Sequence, residues 1–66
     1  MQNESALEYL VREVEEQRIV VVNSILGGNI SDYEYRRLVG VIQGLDFAKT
    51  TIKDLAVRLE GDAEDE

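Results

Sequence analysis

The side chains of this chain that could do chemistry are almost all carboxylates, fourteen against seven Lys and Arg, and the sequence contains no His and no Cys. Without His the commonest general base and the commonest metal ligand are missing. Without Cys there is no thiolate nucleophile, no thiolate metal site and no disulfide. Carboxylates alone can act as acid and base only when two of them converge. The nearest pair, Glu15-Glu16, is adjacent and on a helix would point to different sides, so it reads as a solvated face rather than a dyad. Arg36-Arg37 is the one adjacent basic pair, and Asp32 lies four residues before Arg36, so as a phosphate site it is weak. No nucleophile, base or metal set converges. The expectation is a protein that is not an enzyme, with no cofactor, no metal and no small-molecule substrate.

Charge narrows the partners further. The formal net charge is −7, yet Glu60-Gly61-Asp62-Ala63-Glu64-Asp65-Glu66 holds five of the acids and no base, which leaves the preceding body near −2. Nucleic-acid binding needs clustered Lys and Arg, and no basic stripe exists here. No apolar run approaches the ~20 residues of a membrane span, and the N-terminus lacks a basic segment followed by an apolar one. The expectation is synthesis inside the cell, with no membrane and no nucleic-acid partner. The acidic end, 61–66, is expected to be a disordered tail. It could simply solubilise the chain, touch a basic surface of a larger partner, or imitate nucleic acid to block a host enzyme.

What the chain does specify is helix packing. Ser31 followed three residues later by Glu34 is a capping signature. Beyond it Leu38, Val41, Leu45, Ala48, Ile52, Leu55 and Leu59 follow a 4-3 repeat for three heptads, which calls for a partner helix along its length. Upstream, Leu7, Val11, Val14, Val21 and Ile25 recur at helical spacing, with Arg18 interrupting the line and Leu10 widening it. Glu8 and Arg12 have the favourable i,i+4 polarity. Ile19-Val20-Val21-Val22 could begin a strand, but it continues the 3.6-residue pattern and no second strand is available, so helix is expected. As helix it would be apolar on most sides, more than a single partner helix could cover.

Gly27-Gly28-Asn29 should end the first helix, because Gly supplies the left-handed backbone that a C-cap prefers and Asn tolerates it. Ile30 and Tyr35 occupy the positions of a hydrophobic staple. The prediction is an all-α antiparallel hairpin, with a helix at 4–26, a turn at 27–31 and a helix at 32–60. At this size one core supplies little stability, so the hairpin should oligomerise into a helical bundle or dock on a larger assembly.

Candidate contact residues follow from that fold. Gly40 and Gly44, with Ala48 four residues on, make a small-residue groove. It would serve either close packing on the first helix, the first-ranked use, or a ridge for a second protomer. Tyr33 and Tyr35 flank Glu34, one to staple the corner and the other as an exposed anchor. Phe47, and Ile19, Val22 and Leu26 of the bulky stretch, complete the set, facing either a sister protomer or a foreign one.

Asp32-Tyr33-Glu34-Tyr35-Arg36-Arg37-Leu38, then Gly40-Val41-Ile42-Gln43-Gly44-Leu45, then Ala48, Ile52, Asp54 and Leu55, resembles a pattern in small, mostly uncharacterised proteins that tailed bacteriophages encode among their virion structural genes. The two Gly four apart after Tyr-Arg-x-Leu are its most specific part, and the similarity covers about 25 to 30 of the 66 residues. The resemblance implies a structural or assembly component at the head or head–tail junction, synthesised in the host cytoplasm and carried in the virion. The alternative is a small acidic inhibitor or regulator that binds one host protein.

Overall fold

The computed structural model describes the backbone of residues 4–64 and the side chains of residues 4–61. It is an antiparallel hairpin of two helices, α1 at Ala6–Leu26 and α2 at Asp32–Glu64. Ile19 to Val22 lie within α1, so the β-branched run is helical as expected.

Each helix starts on a serine. Ser5 caps α1 with a closed box: its hydroxyl accepts from the Glu8 N–H at 3.0 Å and the Ser5 N–H donates to the Glu8 carboxylate at 3.1 Å. This occupies Glu8, and the expected Glu8–Arg12 pair does not form. Arg12 instead grips Glu4 through two hydrogen bonds of 2.7 and 3.1 Å and lies over the Tyr9 ring, 5.2 Å from its centroid. At α2 the Ser31 hydroxyl accepts from the Glu34 N–H at 3.1 Å, but the Glu34 carboxylate turns forward to Arg37, at 2.7 and 3.1 Å. The second box is therefore only half made. Asp32 and Arg36 do pair, at 3.7 Å with both side chains almost fully in water, where such a contact contributes little.

In the turn, Gly27 keeps a helical backbone while Gly28 takes the left-handed one at φ 82°, with its N–H donating to the Ile25 carbonyl at 3.1 Å. Asn29 keeps a negative φ, so its tolerance of that conformation is unused. α2 does not stop at 60. It continues through Gly61 to Glu64, so the expected start of a structureless tail at 61 is not where the helix ends. Once a long helix is nucleated, adding a residue costs little, and the Gly61 backbone meets no obstacle. Asp65 and Glu66 lie outside the described residues.

Among the described residues two cross-helix ion pairs mark the register: Arg18 Nε to Asp46 at 2.9 Å and Lys49 Nζ to Glu15 at 3.5 Å. The residue numbers of both pairs add to 64, as an antiparallel register requires. Arg18 and Lys49 are also the two charged interruptions in the apolar lines of the facing helices. Each lays its stem along the seam and brings its head out to an acid on the other helix. The seam itself runs Leu7, Val11, Val14, Val21, Val22 and Ile25 against Leu38, Ile42, Leu45, Ile52 and Ala56. Of these only Leu38 is buried, with 7 % of its surface exposed; the rest are half-covered.

Candidate interaction surface

Two helices laid side by side enclose almost no interior, and the shape shows it. The molecule measures 53 × 27 × 11 Å with a radius of gyration of 15.8 Å, against about 11 Å for a compact domain of this length. Its accessible surface is 5434 Å², where a compact protein of its mass would have about 4,200 Å². Among the described residues, twelve large hydrophobic side chains are exposed.

They lie on several faces of the two helices. Residues advance by ~100° along a helix, so the seam divides each helix into two flanks and an outer face. One edge of the hairpin carries the ion pairs Arg18–Asp46 and Glu15–Lys49. By the same spacing the other edge carries Leu10 and Gln17 from α1, and Val41, Ala48 and Leu55 from α2. Leu10 is 43 % exposed, Val41 36 % and Leu55 45 %. Between Arg37 and Leu55 this flank of α2 holds no charged residue, and the Arg37 and Glu34 charges that bound it are spent on each other.

The 4-3 repeat is therefore covered on one flank only. Its members Leu38, Leu45 and Ile52 face the seam, whereas Val41 and Leu55 are left in water. α1 instead packs on a second 4-3 line, Leu38, Ile42, Leu45, Lys49, Ile52 and Ala56. In the sequence Lys49 breaks this line. The signal lay in Asp46 and Glu15, acids placed to receive the two interrupting cations.

The expected groove is not inside the hairpin. Gly40 and Gly44 lie on the exposed outer face of α2, and a Cβ added at either would meet nothing within 4 Å, so neither glycine serves packing on the first helix. Tyr33, Gly40 and Phe47 follow one another at seven-residue spacing on this outer face, with Tyr33 77 % and Phe47 74 % exposed. Tyr35 is 47 % exposed beside half-buried Ile30. On α1, Val22 joins the seam while Ile19 and Leu26 project outward. The predicted contact residues thus fall into two groups: the outer face of α2 (Tyr33, Gly40, Gly44, Phe47) and the outward side of α1 (Ile19, Leu26). The uncovered edge belongs to neither.

Electrostatics add only local order. The Arg12 and Arg37 guanidinium groups, hydrogen-bonded to Glu4 and Glu34, hold those two carboxyls below their ordinary range. Among the described residues no acid cluster could hold a metal, and no helix is long and apolar enough to cross a membrane. Set against protein-family profiles, curated proteins and solved structures, the chain matches none.

Proposed function

We propose that this protein is a non-enzymatic structural or interaction component that works by packing its exposed apolar helix surfaces against neighbouring helices, and that it belongs to the virion, or the assembly of the virion, of a tailed bacteriophage. The first part rests on one observation: α1 covers a single flank of the α2 repeat and leaves Val41 and Leu55 exposed along a flank with no charge. Contiguous exposed apolar surface of that kind marks a site of interaction with a partner. Tyr33 and Phe47 serve the outer face of α2 as aromatic anchors, and the glycines between them let a partner approach closely. The second part rests on the resemblance of residues 32–55 to small phage proteins.

Mass spectrometry of purified particles tests it. The expected result is the chain present in a fixed copy number per particle. Its absence from particles, together with one-to-one binding to a host protein, would replace the structural role with that of an inhibitor.

A further inference from the structure

Resting on the reading that this protein works by packing against neighbouring helices, we propose that the groove at the open end of the hairpin holds a cationic amphipathic helix of a partner protein. The antiparallel register sets Arg58 opposite Ala6, so residues 59–64 of α2 run about 9 Å past the start of α1. Between the Lys49–Glu15 pair and this overhang the two helices leave a groove of about 580 Å³. Leu7, Val11, Ile52, Ala56 and Leu59 line it with apolar surface, and Leu59 keeps 52 % of its own surface exposed there. A floor of that kind takes the apolar stripe of a third helix.

Charge selects the partner. Residues 4–16 and 48–64, the open half of the hairpin, carry nine acids against four Lys and Arg, a net −5. Residues 17–47, the turn half, carry three of each and no net charge. The exposed Ile19, Leu26, Tyr33 and Phe47 all lie on that neutral half, so charge singles out the groove and not those faces. Glu8 and Glu60 line the groove itself. Of the two cations beside them, Arg12 is already gripped by Glu4 at 2.7 Å, which leaves Lys53 as a single charge against both acids. α2 also ends with Glu60, Asp62 and Glu64 in its last two turns and no basic residue in the last one. Acids at a helix C-terminus oppose the macrodipole, so a partner's Lys or Arg at this end supplies the charge that α2 lacks. A second copy of the chain brings the same net acid charge, so the occupant is a different, basic protein.

Fluorescence anisotropy and NMR of the full, isotope-labelled chain test this, with a helical peptide carrying Leu along one face and Lys along the other as the probe. Binding should weaken as salt rises, and the amide shifts should centre on Val11, Ile52, Ala56 and Leu59. Glu60→Lys should weaken binding by about fivefold at low salt. Asp54→Lys makes the same charge change on the outer face of α2 and should weaken it far less. Leu59→Ala keeps a good helix former but removes floor surface, and should weaken binding by about fivefold at any salt. If a variant loses its helix, the shift map of the unaltered chain decides alone. Equal losses for Glu60→Lys and Asp54→Lys, shifts spread over the outer acids, or equal affinity for a peptide with Gln in place of Lys would overturn the proposal. So would no binding at all, and a chain that fails in this way yet sits in particles at fixed copy number loses the groove and keeps its packing role. A groove response from a chain absent from particles supports the groove and removes only the virion reading.

Discussion

Gly40 gives the sharpest test of where the helix faces point. It sits in the interior of α2 on the side away from α1, its backbone is helical, and nothing lies within 4 Å of where a Cβ would be. Gly→Ala there adds no clash and removes the entropic penalty of glycine, a gain of ~0.8–1 kcal/mol. Unfolding entropy near ~2.1 cal/mol/K per residue, taken over 66 residues, converts that gain into a rise of about 6 °C in Tm. Thermal melts followed by circular dichroism at one fixed concentration suffice. Gly28→Ala is the internal contrast, because φ 82° suits glycine alone, and that variant should melt lower by a comparable amount. A fall in Tm for Gly40→Ala would mean that another backbone already sits against this face in the chain alone, and would refute the placement of the glycines outside the hairpin.

Other expectations concern the caps, the register and acid stability. Ser5→Ala should cost ~0.5–2 kcal/mol, because it opens a closed capping box; chemical denaturation reads it directly, and no change would mean the box does not form in solution. Reversing one member of the Arg18–Asp46 pair should destabilise the hairpin by ~0.2–1 kcal/mol, and the double reversal should recover most of the loss. Failure of the double variant to recover would exclude this antiparallel register. The Glu34 carboxyl is held low by the Arg37 hydrogen bond, so its contribution is fully present above the usual glutamate pKa of 4.5 and fades as pH falls through its lowered value. Proton NMR titration should place Glu34 below the ordinary glutamate range, and Arg37→Ala should return it there.

Much of the architecture is legible from local rules. Ser31 and Glu34 announce a helix start, Gly27-Gly28 a stop, and the 3.6-residue period extends through the β-branched run at Ile19–Val22. What the sequence hides is rotational. Two 4-3 lines share Leu38, Leu45 and Ile52, and they differ by one residue elsewhere. The line with Val41 and Leu55 is the more apolar, yet α1 packs on the line with Ile42, Lys49 and Ala56, with Lys49 reaching Glu15 across the seam. Choosing between them requires knowing the facing helix, which is tertiary information. The same rotation carries Gly40 and Gly44 outward. Competition for a single carboxylate accounts for two smaller differences: Glu8 goes to the Ser5 N–H rather than to Arg12, and Glu34 to Arg37 rather than to the Ser31 N–H. For the contact surface, residue type pointed to aromatics such as Phe47 and Tyr33, which are exposed, but the uncovered edge emerges only once one flank of the repeat is seen to be occupied.

A hairpin that needs its exposed apolar surface covered by another helix folds as it associates, and the helicity and melting temperature of the isolated chain, measured across a wide range of chain concentration, read this most directly. Both should rise with concentration, as mass action requires when folding is coupled to association. A fully helical chain that melts cooperatively at one temperature, whatever its concentration, would show that the hairpin stands alone.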